Sequence, residues 1–133
     1  RLFNEIRSKR ALAYDVGSQN VSEKTFGYFA TYSIIDTKNI ELVKNLVLAE
    51  LKKLQHVNET DIKESKTFIE GDYLIGLEEV QKRADEMLFW EQIGDAKELK
   101  TYISKVKKVA VADVKRVANK YFNNYTMTVL QGK

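Results

Sequence analysis

An arginine and a tyrosine flank a tight corner near the start of this chain, and both side chains can act on a carbonyl oxygen. Residues 2–6 have the apolar spacing of an amphipathic helix, and the basic residues after them suit a helix C-terminus. From Leu12 the apolar spacing changes to two, which is typical of a strand. The guanidinium of Arg7 can anchor a carbonyl, and a fixed phenol such as that of Tyr14 can donate a hydrogen bond to an oxyanion.

Arg7 and Tyr14 also have an ordinary structural explanation. Without further information, the residue types and their spacing favour this explanation over a catalytic one. Arg7 is then a cation at a helix end. Tyr14 is then an aromatic side chain on the core face of the strand, together with Leu12 and Val16.

Other kinds of catalytic chemistry have little support in the sequence. The chain has one histidine and no cysteine, which excludes disulfides, thiolate metal sites and thiol catalysis. His56 begins a stretch like the inverted zinc motif H-x-x-E-H, but the fifth position is Thr60. One histidine cannot build the usual three-ligand catalytic zinc site, so we expect no metal ligand here and a loop position for His56. Phosphate-binding glycine motifs are also absent.

Composition and charge are those of an ordinary globular protein. The 133 residues carry 22 basic and 19 acidic side chains, and a net charge of +3 is too small to indicate nucleic-acid binding. No stretch approaches the ~18–20 apolar residues that cross a membrane, and the charged first residues are not a secretory signal. We therefore expect a soluble protein of the cytoplasm or an organellar matrix, although zero cysteines do not decide the compartment.

The order of hydrophobic patterns predicts the fold class. Residues 12–18 and 26–35 have strand patterns, with a turn-like stretch at 17–20 between them. Residues 37–122 are helical with short breaks, and residues 125–130 alternate again, which predicts a returning strand. This order predicts an α+β fold in which an antiparallel-rich sheet packs against several helices.

Two local signals concern where elements begin. Asn58, followed three residues later by Asp61, predicts the N-cap of a helix. At Arg1, by contrast, an apolar pattern begins with no capping residue before it. We expect residues 1–133 to be a single partial domain, truncated at its N-terminus, with a sheet edge left uncovered.

Several short segments, taken in order, resemble one family of enzymes. They are the corner at residues 1–7 and 12–14, Gly27-Tyr28-Phe29, Asp61-Ile62 with Lys66, Arg83-Ala84, and the closing stretches 109–114 and 117–122. Together they are similar to the C-terminal, non-zinc-binding half of the insulinase/pitrilysin-type zinc metallopeptidases, a group that includes the mitochondrial processing peptidases. Many members have Gly before the Leu of the corner, where this chain has Ala11. Because Ala rarely adopts positive φ, we expect a slightly different turn geometry, which affects how precisely Arg7 and Tyr14 are aimed.

The resemblance implies a role for the chain in a zinc metalloendopeptidase. It would form one wall of a cleft that binds an extended peptide. Tyr14 would be an accessory catalytic contact to the oxyanion, and Arg7 would bind substrate. Zinc would be held by an N-terminal half or a partner subunit, so the isolated chain would be inactive.

Two other hypotheses about the function remain open. In the first, the chain is a non-catalytic structural or substrate-binding subunit of a peptidase-like complex, because the family includes such members. In the second, it is a generic helical interaction domain whose similarity to the family is a coincidence. The uncovered sheet edge would also allow a homo-oligomer to form.

Overall fold

The computed structural model describes residues 1–132, which form helices and an antiparallel pair of strands. A π-helix at Phe3–Ser8 comes first, followed by strands β1 (Ala13–Ser22) and β2 (Gly27–Ile35). The α-helices are α1 (Ile40–Lys53), α2 (Glu59–Gly76), α3 (Val80–Ile93), α4 (Tyr102–Lys108) and α5 (Val111–Tyr121). Short 3-10 helices lie at Thr37–Asn39, Leu54–His56 and Ala96–Lys100. The predicted α+β class is confirmed. None of the described helices has the length and apolar character needed to span a membrane.

Backbone contacts divide the chain into two compact units. The first unit comprises Arg1–Ser22, Phe26–His56 and the residues from Lys115 onward. The second unit comprises Glu23–Thr25 and Val57–Val114.

The core of the first unit lies between one face of the hairpin and the helices beside it. The strands pair antiparallel, from Ala13 opposite Ile35 to Ser22 opposite Gly27. The buried core residues are Ile6, Ala13, Val16 and Val43, with Leu2, Leu12, Ile35, Leu46 and Val47 packed around them. The π-helix and α1 therefore cover this face, in keeping with the predicted packing of the sheet against helices.

Strand β1 is longer than its sequence pattern indicated. The turn expected at residues 17–20 is wrong, because the ladder continues through them to Ser22, and the hairpin turns at residues 23–26. At Gly27, where β2 begins, a Cβ atom would lie 2.9 Å from the carbonyl oxygen of Val21. Only glycine fits there without a backbone shift.

The returning strand expected at residues 125–130 is also wrong, since these residues form no strand. A strand needs a hydrogen-bonded neighbour, and the sheet within residues 1–132 consists of β1 and β2 alone. The alternating side chains of Tyr125, Met127 and Val129 remain 59%, 45% and 48% exposed. Together with β2 and α1, this segment lines a groove of about 730 Å³.

The second unit begins with the predicted helix cap. The Asn58 side chain accepts a hydrogen bond from the Asp61 backbone N–H at 3.0 Å, and the Asp61 carboxylate accepts one from the Asn58 N–H at 3.2 Å. This reciprocal capping box confirms Asn58 as the N-cap of α2. Farther along, the Lys107 ammonium lies 2.6 Å from a carboxylate oxygen of Glu70, which joins α2 to α4.

Aromatic side chains pack together elsewhere in the second unit. The ring centroids of Tyr73 and Tyr102 are 4.7 Å apart, and those of Trp90 and Tyr102 are 5.8 Å apart. Phe89 adds an edge-to-face contact with Trp90 at 5.5 Å. Burial in this cluster raises the pKa of the Tyr73 phenol. The cluster connects α2, α3 and α4.

Removing the capping side chain should weaken the second unit measurably. We expect Asn58→Ala to lower the free energy of unfolding by about 1 kcal/mol, because an N–H at the start of α2 loses its acceptor. Asn58→Ser keeps an acceptor and is the matched control. Urea unfolding followed by circular dichroism measures the difference, and equal losses in the two variants would contradict the capping role.

Candidate functional site

Arg7 is presented by a short π-helix whose inner side is fixed in the core. The Lys9 N–H donates to the Asn4 carbonyl oxygen at 2.9 Å, which is the wide i→i−5 pairing of a π-helix. Ile6 is fully buried, whereas its neighbour Arg7 is exposed. The Arg7 guanidinium carbon lies 5.1 Å from the centroid of the Phe3 ring, within range of a cation–π contact. The helix thus holds Arg7 on the solvent side of the corner.

The corner that follows is closed by a left-handed residue. Ala11 has φ 50°, so the expectation that an alanine would avoid positive φ here is wrong. Its N–H donates to the Arg7 carbonyl oxygen at 2.9 Å, and the Leu12 N–H donates to that of Ile6 at 3.0 Å. These nested bonds span one residue more than the usual Schellman pairing, in keeping with the wider helix. Alanine therefore adopts the conformation that glycine favours, at a cost of about 1–2 kcal/mol.

Three cations lie at this corner, and one carboxylate binds two of them. The Glu5 carboxylate pairs with the Lys9 ammonium and with Arg10, whose Nη1 lies 2.6 Å from Oε2. The same Nη1 donates to the Glu5 carbonyl oxygen at 2.7 Å. Hydrogen bonds from Lys9, and then from Arg10, lower the pKa of the Glu5 carboxyl to about 2. Within residues 1–132 no carboxylate pairs with Arg7, which leaves its guanidinium open to an external acceptor.

Tyr14 projects outward because a β-bulge interrupts the strand at its position. Ala13 pairs with Ile35 and Asp15 pairs with Ile34, so Tyr14 is an extra residue on β1. The residues on either side of Tyr14 and Asp15, namely Ala13 and Val16, are both buried, and the Tyr14 side chain is 79% exposed. The placement of Tyr14 on the core face with Leu12 and Val16 is therefore wrong.

Arg7 and Tyr14 thus lie on the two sides of one hydrogen-bonded corner. In the described chain no hydrogen bond joins the two side chains, and none is made by the Tyr14 hydroxyl. Beyond the bulge, the Asp15 carboxylate accepts a hydrogen bond from the Val16 N–H at 2.9 Å. The corner therefore presents a guanidinium and a phenol whose hydrogen-bonding groups both face solvent.

A feature that sequence reasoning missed lies on the same hairpin. Gly17 pairs with Tyr32, and a Cβ atom on Gly17 would lie 2.6 Å from the Tyr32 hydroxyl and 2.8 Å from Cζ. The phenol ring therefore lies directly over the glycine. The length of the second strand pattern was the signal that could have found this pair, because a long β2 needs an equally long partner.

Comparison with known proteins decides the family. Residues 1–68, about half of the chain, match the family model described as the inactive domain of peptidase M16. The chain belongs to the peptidase M16 family. The resemblance to the C-terminal, non-zinc-binding half of the insulinase/pitrilysin-type peptidases is thereby confirmed.

The M16 relatives are longer than this chain. A protein of Rickettsia felis, described as an uncharacterized zinc protease, is 30% identical over 99% of this chain and 32% of its own length. A protein of Rickettsia bellii with the same description is 28% identical over the same shares. The chain therefore spans about a third of the length of these curated relatives.

Solved structures support the M16 fold. A protease from Helicobacter pylori has a TM-score of 0.79 and 22% identity, over 92% of this chain and 30% of that one. A conserved protein from Enterococcus faecalis has a TM-score of 0.65 and 26% identity, over 89% of this chain and 28% of that one. At 22% identity, the Helicobacter likeness bears on the fold alone.

The described part of this M16 chain does not fit a zinc site. His56 lies at the end of a 3-10 helix and is exposed, and the motif-like stretch ends in Thr60. Within residues 1–132 no group of three or more His, Cys, Asp or Glu side chains could hold a metal ion. The zinc that the relatives' description implies has no ligand set in this part of the chain.

Relieving the strain at Ala11 should stabilise the protein. We expect Ala11→Gly to raise the free energy of unfolding by about 0.5–1 kcal/mol, because relief of the left-handed strain exceeds the added entropy of the unfolded chain. Ala30→Gly in β2 is the control, and it should lower the same quantity. Urea unfolding of both variants tests this, and a loss of stability in Ala11→Gly would contradict it.

The Glu5 ion pairs should give a distinct acid dependence. The pKa of Glu5 falls from 4.5 to about 2, so its stabilising contribution is complete above pH 4.5 and is lost as the pH falls toward 2. Glu5→Gln should remove this part of the acid-induced loss of stability. Unfolding measured from pH 5 to about pH 2 checks this, with Glu23→Gln as a control for loss of one negative charge. Identical pH profiles for Glu5→Gln and the wild type would refute it.

Proposed function

We propose that this M16 domain forms one wall of the peptide-binding cleft of a zinc-dependent metalloendopeptidase and contacts the substrate through Arg7 and Tyr14. The observation that carries the proposal is the 79% exposure of Tyr14, which a bulge turns away from the core. The absence of a carboxylate partner for Arg7 within residues 1–132 supports the same role. Both groups are available to a ligand.

Each group has a separate chemical task. Attack on a peptide carbonyl turns its oxygen into an oxyanion, and the Tyr14 phenol donates a hydrogen bond to that oxygen without changing its own charge. Arg7 keeps its charge and presents a planar set of donors, so it holds a neighbouring carbonyl oxygen of the extended chain. A donor that acts mainly on the oxyanion contributes to kcat, and one that binds substrate uniformly contributes to KM.

The proposal assigns the remaining chemistry to a part of the protein outside this chain. When bound there, zinc would polarise the carbonyl and activate water. An N-terminal half or a partner subunit would carry its ligands. The likeness to proteins described as zinc proteases, which are about three times longer than the matched region, supports this division. The isolated chain is then inactive.

Substitution at Tyr14 tests the proposal in the full-length protein together with any zinc-binding partner. Against a library of internally quenched fluorogenic peptides, Tyr14→Phe should lower kcat by about 10²–10³, the loss typical of one oxyanion donor. Arg7→Lys should mainly raise KM, because it keeps the charge but removes the planar fork. Tyr121→Phe removes another exposed phenol hydroxyl and should leave both constants unchanged.

The outcomes separate the proposed functions. Full turnover by Tyr14→Phe would overturn the oxyanion role. If the wild-type protein binds the peptides and cleaves none, the chain acts in a non-catalytic, substrate-binding subunit. If it neither binds nor cleaves them, the cleft-wall proposal fails entirely.

A further inference from the structure

The outward face of the hairpin continues from Tyr14 to a second phenol. Tyr32 is 50% exposed, and Ile34, which pairs with Asp15 beside the bulge, is 58% exposed. Alternation along β2 places Tyr28, Tyr32 and Ile34 on the same face, opposite the face that carries Ile35 into the core. Tyr14 and Asp15 both lie on the outer side of β1, since Ala13 and Val16 are buried. The two phenols therefore share one surface.

Gly17 determines where the hydroxyl of Tyr32 lies. With no Cβ on Gly17, the ring crosses from β2 onto β1, and its hydroxyl comes to the place that a side chain at position 17 would occupy. Gly17 is three residues beyond Tyr14, or roughly 10 Å along the strand at 3.2–3.4 Å per residue. An extended peptide beside β1 covers that distance in about three residues. In the described chain the Tyr32 hydroxyl makes no hydrogen bond, so its donor and acceptor sites are open.

We propose that Tyr32, held over Gly17, is a substrate-positioning residue that hydrogen-bonds the peptide backbone about three residues from the carbonyl contacted by Tyr14. This inference rests on the proposed function, because it needs a peptide lying on the corner. A phenol accepts from a peptide N–H and donates to a peptide carbonyl, so it holds an extended chain whatever its side chains are. The adjacent Ile34 gives the same stretch an apolar contact, which favours a substrate with an apolar side chain there.

The Gly17–Tyr32 contact also has a purely structural use, and the hydroxyl separates the two uses. An aromatic ring that covers a strand glycine shields the backbone and stabilises the sheet. That effect needs the ring and not the oxygen. Tyr32→Phe keeps the ring over Gly17 and removes only the hydrogen bond, whereas Gly17→Ala moves the ring and keeps the hydroxyl. The displaced atoms are the far end of a side chain, so Gly17→Ala should still fold.

The experiment compares these variants in the full-length protein together with any zinc-binding partner. The probe is the best-cleaved peptide of the fluorogenic library, or the best-bound peptide if none is cleaved. We expect Tyr32→Phe to raise the peptide Kd, measured by fluorescence anisotropy after EDTA treatment, about 3–10-fold, as for one neutral hydrogen bond. KM should rise by a similar factor with kcat nearly unchanged, and Gly17→Ala should weaken binding at least as much. Thermal unfolding of Tyr32→Phe should match that of the wild type.

Tyr28→Phe is the matched control, because Tyr28 lies on the same face with 48% exposure but pairs with Val21, which has a side chain. It should leave Kd unchanged. Wild-type affinity in Tyr32→Phe, alongside a kcat defect in Tyr14→Phe, would overturn this inference and leave the proposed function standing. No peptide binding by the wild-type protein would overturn both. Weaker binding in Tyr32→Phe with full turnover in Tyr14→Phe would support the Tyr32 contact and contradict the oxyanion role.

Discussion

The left-handed backbone of Ala11 fixes the relation between the π-helix and the sheet. Its N–H is bonded to the Arg7 carbonyl, and the next N–H is bonded to that of Ile6, so the chain reverses within a few residues. Ile6 lies before this corner, and Ala13 and Val16 lie after it, yet all three are buried in one core with Val43. Packing on both sides thus holds Ala11 at positive φ against its own preference. These hydrogen bonds and the shared core thus connect the backbone that carries Arg7 to the backbone that carries Tyr14.

A single carboxylate, that of Glu5, pairs with two of the three cations at the corner. Lys9 and Arg10 lie at the C-terminal end of the π-helix, where the partial negative charge of the helix attracts them. Glu5 forms ion pairs with both. Arg10 also donates to the Glu5 carbonyl oxygen, so it ties the end of the helix to its first turn. Because Glu5 pairs with Lys9 and Arg10, the third cation, Arg7, has no carboxylate partner within residues 1–132. A guanidinium that rests on the Phe3 ring is oriented by that contact without losing its outward N–H groups.

Much of this arrangement could be predicted from sequence, and the failures have physical causes. The change from helical to strand spacing located the corner, and the Asn58–Asp61 pair located the start of α2, because both signals are local. The positive φ of Ala11 does not follow from its local sequence, because the core that holds this φ includes distant residues. Strict alternation puts Tyr14 on the core face, because an alternating pattern does not reveal the extra residue that a bulge adds to the strand. Residues 17–20 have a turn-like composition, and the local sequence does not show that the ring covering Gly17 comes from the other strand.

The functional interpretation of the residues at the corner depends on which side chains the fold leaves exposed. A strand tyrosine turned inward would contribute roughly 1.5–3 kcal/mol to the free energy of unfolding through burial of its ring. The bulge leaves Tyr14 exposed, so this contribution is not made. Ala11 likewise occupies a costly conformation rather than one that alanine prefers. These costs fall on the same few residues that leave a phenol and a guanidinium facing solvent. Strain and bulges gathered around exposed, unpaired donors are typical of binding and catalytic sites, where positioning matters more than local stability. The stability of the fold does not account for these costs, whereas the proposed contact with a peptide would account for them.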